Sequence, residues 1–306
     1  MFRLAAALVC AFCLLAARAE ACVPMSEPSA EERAQSGAAA SDSDGRMVVP
    51  IFVNGSGPYR FIVDTGANRS ALSVPLAASL GLTPVGEGEV HSVFDVAIAP
   101  LVAVQSLRYG SIDLPTQQMP LLNGPVLDGA HGLLGADGLQ GKRLMLDFAA
   151  RCIEIATSAG APRLRDWAAI RGSLRLGNLV VVEGRINRTS VHVLLDTGSD
   201  TSLANTALVR ALEAHTRDRR ASLEHATSGG HEVALNQAVI VRELTIGPLI
   251  ANNVTAFVGD YHVFRIWGLL DEPTLLLGMD VLQQARGIAI DYGRRTIYVR
   301  IGPRTR

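Results

Sequence analysis

Two short segments of the sequence place an aspartate where paired carboxylates could carry out acid–base chemistry. Residues 62–66 read IVDTG and residues 194–198 read LLDTG, so each segment runs from an apolar stretch directly into Asp-Thr-Gly. Two carboxyl groups in contact cannot both stay ionised, so such a pair shares one proton. The ionised member can take a proton from water, while the protonated member can hydrogen-bond a carbonyl. The segments therefore predict a two-aspartate hydrolytic centre at Asp64 and Asp196.

Small residues beside each aspartate suit the same chemistry. Gly66 and Gly198 allow a tight turn that holds a carboxylate next to backbone N–H groups. Thr65 and Thr197 each supply a hydroxyl that could lock one loop to its counterpart. A lone Asp-Thr-Gly would indicate only a turn aspartate at the end of a strand. Its paired occurrence favours a catalytic pair.

The two segments belong to an internal repeat. The Leu-Leu-Gly at residues 133–135 has a counterpart at residues 276–278. An acidic–aromatic pair then closes each copy, at residues 147–148 and 291–292. Because these landmarks recur in the same order, we interpret the chain as two similar lobes.

Both copies resemble retropepsin-type aspartic proteases, and their tandem arrangement resembles a pepsin-like two-lobed enzyme. The resemblance covers roughly residues 47–301. It implies an all-β fold of two acid-protease-like β-barrel lobes related by a pseudo-twofold axis, with few short helices. It also implies that Asp64 and Asp196 are catalytic and that Gly135 and Gly278 end strands that brace the catalytic loops.

The resemblance implies an aspartic-type endopeptidase that acts on a peptide or unfolded protein. We expect a monomer in which each lobe contributes one aspartate. One alternative is an inactive retropepsin-like module that binds peptides. Another is that each copy pairs with a second chain.

The family also carries a mobile β-hairpin, called the flap, that closes over substrate. Gly86 and Gly88 in the first copy, and Gly229 and Gly230 in the second, are candidates for the flap tips because glycine suits turns with positive φ. Neither copy has a tyrosine there. In this respect the flaps resemble those of retropepsins more than those of pepsin-like enzymes.

The residue after each motif differs between the copies. Ala67 follows the first Asp-Thr-Gly, whereas Ser199 follows the second. A hydroxyl there could donate to the adjacent carboxylate and favour its ionised form. The hypothesis is that Asp196 is the ionised base and Asp64 its protonated partner.

Two further aspartates recur just after the Leu-Leu-Gly segments. Asp137 and Asp280 occupy equivalent places in the two copies. Aspartate is favoured at the start of helical turns, where it caps backbone N–H groups. We therefore predict that both are caps.

The lobes are predicted at residues 47–159 and 175–306, with a linker at 160–174. Short segments rich in β-branched residues predict strands, and Gly-containing turns separate them. Helices are predicted at residues 75–80 and 205–216, with a short helical turn after each Leu-Leu-Gly. The predicted strands cover residues 48–53, 60–63, 179–182, 191–195, 239–241 and 296–301.

The first 21 residues have the features of a signal peptide. Arg3 precedes an apolar run at residues 4–17, and small residues follow. Residues 22–46 are rich in Ser, Ala and acidic residues, so we expect a flexible tether or a pro-segment. Cys22 lies where a bacterial lipoprotein would carry its lipid, although the surrounding residues match that pattern poorly. The predicted location is the bacterial periplasm or the medium.

Composition excludes several classes of protein. The 306 residues include 48% hydrophobic residues and carry a net charge of −1, so nucleic acid is not an expected partner. The apolar run at the start is too short to span a membrane. The scattered histidines and acidic residues form no recognisable metal motif, and we expect no metal and no cofactor.

The four cysteines are too few for a disulfide-built fold. Two of them, Cys10 and Cys13, lie in the signal peptide. Cys152 fits an inert structural cysteine in a strand. A disulfide between Cys22 and Cys152 is open to an exported protein, but the sequence does not require it.

The sequon at Asn68 bears on the source of the protein. Asn68 lies four residues past Asp64 in an Asn-x-Ser sequon, and further sequons begin at Asn54, Asn187 and Asn253. A glycan on Asn68 would crowd the cleft. This favours a bacterial cell without that modification.

Overall fold

The computed structural model describes residues 34–116, 118–159, 166–175, 178–212, 224–228, 231–235 and 237–300. Strands dominate these residues, and the helices among them are short. The N-terminal half contains β1 Ala34–Ala38, β2 Ala40–Ser41, β3 Met47–Val53, β4 Ser56–Val63, β5 Ala71–Ser73, α1 Val74–Ser79, β6 Pro84–His91, β7 Val96–Ala103, β8 Leu107–Tyr109, β9 Ile112–Leu114, β10 Gln118–Leu122, a 3-10 turn at Pro125–Leu127, β11 Gly132–Leu134, β12 Lys142–Asp147 and β13 Cys152–Thr157.

The C-terminal half repeats this order of elements. It contains β14 Trp167–Arg175, β15 Leu179–Ile186, β16 Thr189–Leu195, β17 Ser202–Ala204, α2 Thr206–Ala211, β18 Glu224–Ser228, β19 His231–Leu235, β20 Ala238–Ile246, β21 Leu249–Val258, α3 His262–Ile266, β22 Thr274–Leu277, α4 Met279–Leu282, β23 Gly287–Asp291 and β24 Thr296–Arg300.

Each half curls a sheet around an apolar core. The N-terminal lobe has the strand order β6-β7-β10-β5-β11-β4-β3-β8-β9. The C-terminal lobe has the order β15-β16-β22-β17-β21-β20, and pairing of Arg185 in β15 with Thr245 in β20 closes it. The prediction of two β-barrel-like lobes is confirmed, with one closed barrel and one half-barrel.

The strands that lead into the two Asp-Thr-Gly segments have the same surroundings in both lobes. β11 lies between β4 and β5, parallel to β4, with Leu133 opposite Ile62. β22 lies between β16 and β17, parallel to β16, with Leu276 opposite Leu194. Strands buried on both faces read as continuous apolar runs, which is why the sequence shows IVD and LLD without alternation.

A six-stranded section joins the lobes, in the order β1-β13-β12-β23-β24-β14, which we call the bridging sheet. Its centre is the antiparallel pair of β12 and β23, one strand from each half, with Leu144 opposite Ile290. The outermost strands are β1, which precedes the N-terminal lobe in the chain, and β14, which precedes the C-terminal lobe. The bridging sheet therefore follows the same pseudo-twofold relation as the lobes.

The two outer strands correct the predicted boundaries. The prediction of a flexible segment to residue 46 is wrong for Ala34–Ala38, which pairs with β13, and for Ala40–Ser41, which pairs with β3. The predicted linker at 160–174 largely consists of β14, which pairs with both β15 and β24. Both segments are held by backbone hydrogen bonds, which their hydrophobicity does not reveal. Residues 22–33 and 160–165 lie outside the described residues.

The predicted strands are all present, but their bounds agree to different degrees. β3, β16 and β24 match their predictions within two residues, whereas β4, β15 and β20 extend the predicted strands by four or five residues. The helix predicted at 75–80 is α1, and the Ser73 hydroxyl caps it by accepting from Leu76 N at 3.2 Å. The helix predicted at 205–216 begins as α2, capped by Asn205. Its predicted end, at residues 213–216, lies outside the described residues.

Cys152, the first residue of β13, is disulfide-bonded. The other three cysteines lie outside the described residues, as do the predicted signal peptide and the lipidation site at Cys22. Within the described part of the chain, no helix is both long and apolar enough to cross a membrane.

Candidate active site

Asp64 and Asp196 each follow the end of a buried strand and are held there by the neighbouring parallel strand. The backbone N–H of Asp64 donates to Leu134 O at 3.0 Å, and that of Asp196 donates to Leu277 O at 2.8 Å. These acceptors belong to the Leu-Leu-Gly segments. The expected brace is therefore present in both lobes.

The threonines of the two loops lock the lobes together. The Thr65 hydroxyl donates to Leu195 O and the Thr197 hydroxyl donates to Val63 O, each at 2.6 Å. Each hydroxyl also accepts the backbone N–H of the other threonine, at 3.2 and 3.1 Å. Both side chains are buried, at 3% and 1% exposed, so the lock is shielded from water.

The lock brings the two carboxyl groups into a direct hydrogen bond with each other. Each carboxyl also lies against the glycine of the opposite loop. A Cβ added to Gly66 would collide with the Asp196 carboxyl, and one added to Gly198 would collide with that of Asp64. Glycine is required at both positions because no side chain fits between the loops.

Hydrogen bonds from the backbone differ between the two carboxyl groups. Asp64 accepts N–H groups of its own loop from Gly66 at 3.0 Å and Ala67 at 2.8 Å. Asp196 accepts one from its own loop, from Gly198 at 2.9 Å. The N–H of Gly66, in the opposite loop, also stabilises the Asp196 carboxylate, so backbone donors act on both acids.

Burial raises the pKa of both carboxyl groups. For Asp196, burial and then the charge of Asp64 raise the pKa well above its ordinary value. For Asp64, burial raises the pKa, and the N–H of Ala67 and the hydrogen bond from Asp196 oppose that rise. The two carboxyl groups in contact therefore share one proton.

The contact on which the Ser199 hypothesis rests is not formed. The Ser199 hydroxyl donates to Thr201 O at 2.7 Å and accepts Thr201 N at 3.3 Å, so it stabilises its own turn rather than the carboxylate of Asp196. The assignment of Asp196 as the ionised base stays a prediction without that support.

A Ser–Asp pair supports each brace, with Asp137 buried and Asp280 exposed, and the sequence argument missed it. The Ser70 hydroxyl accepts Gly135 N at 3.0 Å and donates to Asp137 at 2.7 Å. In the other lobe the Ser202 hydroxyl accepts Gly278 N at 3.0 Å and donates to Asp280 at 2.8 Å.

The recurring aspartates are therefore supports of the catalytic loops. The cap prediction is wrong for Asp280, because the N-cap of α4 is Gly278. Asp137 does accept the N–H of Gly138, at 2.7 Å, but it also holds Ser70. One signal was available, since Ser70 and Ser202 each follow a catalytic aspartate by six residues.

Tyr292 lies close enough to the pair to sense both charges. Burial, followed by the charges of Asp64 and Asp196, raises the pKa of its hydroxyl far above the ordinary value. Its hydroxyl has no hydrogen-bond partner among the described residues. The equivalent position in the first copy is Phe148. Tyr292 is therefore a neutral, polar neighbour of the pair on one side only.

The hairpin predicted as the first flap exists, but its tip is elsewhere. Gly86 and Gly88 lie inside β6, opposite Leu101 and Ala99 of β7, so the prediction that they form the tip is wrong. The turn of this hairpin is at residues 92–95. A Ser92 hydroxyl that accepts the N–H of Asp95 at 2.9 Å closes it without glycine.

The second predicted flap lies between β18 and β19, which pair with Ser228 opposite His231. Gly229 and Gly230 themselves lie outside the described residues.

One group of acidic residues lies close enough together to suit a metal ion, among the residues the structure describes. It consists of Asp42, Asp44 and Asp128. Arg46 lies among them, with its Nε 2.6 Å from Asp42 and its Nη2 3.5 Å from Asp44. Since the guanidinium already pairs with two of the three carboxylates, the group fits an ion-pair network.

The sequence matches an aspartyl protease family model over residues 49–137 and 182–281, together more than half of the chain. The chain belongs to the aspartyl protease family. Each matched segment contains one Asp-Thr-Gly and one Leu-Leu-Gly, so this aspartyl protease holds two tandem retropepsin-like lobes. A search among curated proteins finds no match.

Proposed function

We propose that this aspartyl protease is an exported endopeptidase that hydrolyses peptide bonds with water activated by Asp64 and Asp196. The observation that carries the proposal is the buried, hydrogen-bonded carboxyl pair held by the reciprocal threonine lock. Burying two acids in contact is costly unless they share a proton. That sharing is the protonation state from which hydrolysis of an amide can begin; the handling of one proton by two aspartates is the established logic of aspartic proteases.

The reaction begins with a water molecule between the carboxyl groups. We propose Asp64 as the ionised member, because two N–H groups of its own loop stabilise its charge. It takes one proton from the water as the water oxygen bonds to the carbonyl carbon of the substrate. Asp196 gives its proton to the carbonyl oxygen, so a neutral gem-diol forms. Both carboxyl groups have then exchanged protonation states.

The second half of the reaction returns the pair to its starting state. Asp64 gives its proton to the amide nitrogen, and the bond between carbon and nitrogen breaks. Asp196 takes a proton from one hydroxyl of the gem-diol as the carboxylic acid product forms. The free amine and acid leave, and no cofactor takes part in any step.

The inactive, peptide-binding alternative explains less of the site. A binding module would have no need of two acids in a buried contact, or of the supports that Ser70 and Ser202 give to both loops. Loss of either acid would relieve the cost of burying it. Retention of both, each with its complete support, favours catalysis.

Export is supported by the chemistry of one residue. Cys152 is disulfide-bonded, and disulfides persist in oxidising compartments such as the bacterial periplasm. The predicted signal peptide at residues 1–21 gives the same location. We therefore place the mature enzyme in the periplasm or the medium.

The test is turnover of an unfolded protein by the mature chain across about pH 3 to 7, where a shared-proton pair can work. Asp64→Asn and Asp196→Asn should each lower kcat by roughly 10⁴-fold, since each removes one half of a unit that acts together. Asp113→Asn changes an exposed aspartate of β9 and should leave kcat unaltered. Turnover that survives either change in the pair would sink the proposal.

The same preparation tests the oligomeric state. A gel-filtration mass of one chain supports a site shared between the two lobes of a monomer. A mass of two chains would favour the alternative in which each copy pairs with another molecule.

A further inference from the structure

The turn of the first hairpin, at residues 92–95, crosses from the N-terminal lobe to the C-terminal lobe. Val93 O accepts the backbone N–H of Val263, in α3, at 3.2 Å. The Phe94 ring meets the Tyr261 ring edge-on, with centroids 5.4 Å apart and planes at 81°. One backbone hydrogen bond and one aromatic pair therefore join the hairpin to the opposite lobe.

A pair of histidines completes this contact, which we call the clasp. His91 Nδ1 lies 2.9 Å from His262 Nε2, and the two ring planes are nearly parallel, at 11°. The distance is that of a hydrogen bond, so one ring donates an N–H to the bare nitrogen of the other. The clasp thus depends on at least one of the two facing nitrogens being unprotonated.

The other hairpin makes the equivalent crossing. The backbone of β18 lies beside the 3-10 turn Pro125–Leu127 of the N-terminal lobe. That turn stands between β10 and β11, as α3 stands between β21 and β22. The two hairpins therefore contact structurally equivalent elements, each in the opposite lobe.

The clasp and the threonine lock are two separate contacts between the same two lobes. The carboxyl pair belongs to the lock, and the clasp connects the lobes at the tip of a hairpin. An extended substrate lying against the pair has to enter the space between these contacts. Opening of the clasp would widen that entrance.

Protonation changes the histidine contact in one direction. Imidazole side chains take up protons as the pH falls through the range of about 8 to 5, and both rings of the contact are imidazoles. When both are imidazolium ions, two N–H groups and two positive charges face each other. The hydrogen bond is then replaced by repulsion.

The charged groups around the two histidines are compatible with loss of this hydrogen bond in acid. The Glu89 carboxylate lies 3.4 Å from His91 Nε2, the ring nitrogen that does not face His262. Asp95 is held by the Ser92 hydroxyl, and Asp260 is held by Thr206. Glu87 on β6 and Arg265 on α3 are exposed to solvent. No described acid of α3 is therefore placed to offset a proton on His262.

We propose that His91 and His262 form a proton-operated gate that keeps the first hairpin closed at neutral pH and releases it in acid. The link to catalysis rests on the proposed function, because an acid-opened entrance matters only to an enzyme that works in acid. The opening itself does not depend on catalysis. Phe94 and Tyr261 remain a hydrophobic contact at both pH values and let the hairpin close again.

The test measures the distance between the hairpin and the C-terminal lobe. Spin labels are placed on Glu87→Cys in β6 and Asn252→Cys in β21, both exposed, in the mature chain carrying Asp64→Asn to prevent self-cleavage. Pulsed electron resonance should give one short distance at pH 7.5. At pH 5 a longer distance should appear, with the open-to-closed ratio raised about tenfold.

Variants decide whether the histidine pair is the cause. His262→Gln, or His91→Gln should the first variant not fold, keeps a polar side chain that does not titrate, so the short distance should persist at pH 5. His192→Gln alters a histidine of β16 held between Glu183 and Glu272 and should retain the change with pH. No longer distance in the parent at pH 5, or an unchanged response in the glutamine variant, would overturn the gate.

Activity separates this proposal from the proposed function. The Asp64 side chain is restored, and kcat/KM on an unfolded protein is compared at pH 5 and 7. A protein that opens in acid but never cleaves supports the gate and contradicts the endopeptidase. A protein that cleaves with no opening supports the endopeptidase and overturns the gate.

Discussion

The two catalytic loops share one skeleton but treat their aspartates differently. Both have the same brace, the same threonine lock and the same Ser–Asp support. Asp64 nevertheless accepts two N–H groups of its own loop, whereas Asp196 accepts one. Duplication therefore fixed the positions of the acids, and a small difference in the turn after the motif changed the backbone donors that each acid receives from its own loop.

Apart from the changes to the acids themselves, the largest expected effect comes from the glycines that separate the loops. Gly66→Ala and Gly198→Ala each place a Cβ in the opposite carboxyl group, so either should lower kcat/KM by roughly 10²-fold or more through displacement of the pair. Gly86→Ala is the matched control, because a Cβ there meets nothing. The measurement is the rate of substrate cleavage. A fully active glycine variant would contradict the close contact of the loops.

Removal of either threonine hydroxyl from the lock should lower the free energy of unfolding by a similar amount. Thr65→Val or Thr197→Val removes the hydroxyl from two buried hydrogen bonds and leaves the partner groups unsatisfied, at about 2–4 kcal/mol of unfolding free energy. Urea unfolding measures the loss. Thr65→Ser and Thr197→Ser keep the hydroxyl and should retain most of the stability. A large difference between the two valine variants would show that the lobes do not share the lock equally.

The acids should differ in how they affect stability. A carboxyl group whose pKa is raised in the folded state binds its proton more tightly there, so its contribution to stability is present below its unfolded pKa of about 4 and is lost as pH rises through the folded pKa. Asp196→Asn removes the ionisable group, so this loss of folding stability with rising pH no longer occurs. At pH 7 the variant should melt about 2–4 °C higher than the parent, as for a change of about 1 kcal/mol.

The melting temperature of Asp64→Asn at pH 7 provides the comparison between the two acids. The pKa of Asp64 is raised less, because its two N–H groups stabilise the charge, so the gain at pH 7 should be smaller. Near pH 3, where both carboxyl groups are protonated even in the unfolded chain, both gains should vanish. A larger gain for Asp64→Asn would reverse the assignment of the proton.

The smallest effect is expected at Ser199. Because its hydroxyl bonds to Thr201, Ser199→Ala should leave the lower apparent pKa of the pH–rate profile in place and cost about 1 kcal/mol of stability. The pH dependence of kcat/KM gives the answer. An upward shift of that pKa would restore the idea that the serine stabilises the Asp196 carboxylate.

The sequence was sufficient to predict the parts of the fold that bury apolar side chains. The ends of β4 and β16 that lead into Asp-Thr-Gly could be predicted because their buried residues form short, continuous apolar runs. β1, with the sequence AQSGA, could not, since it joins the bridging sheet through its backbone while its side chains stay partly exposed. Apolar patterns in a sequence reveal strands that bury their side chains. They do not reveal a strand that is held mainly by backbone hydrogen bonds.

A similar limit applied to the site. The residue types and their order in the sequence were enough to predict the chemistry of Asp64, Thr65 and Gly66. The role of Ser70 depends on contact with Asp137, far along the chain, and no local pattern encodes that contact. The hairpin tip was misplaced because glycine was expected in the turn, whereas the Ser92 side chain supplies the hydrogen bonds that close it.

The pairing of β12 with β23 has a consequence for how the polypeptide could be divided. Each half contributes strands to a sheet that the other half completes, and the active pair forms only where both halves meet. A cut in the connection between β13 and β14 would leave all of these contacts in place. The two halves produced as separate polypeptides would then be fragments that reassemble into one working molecule.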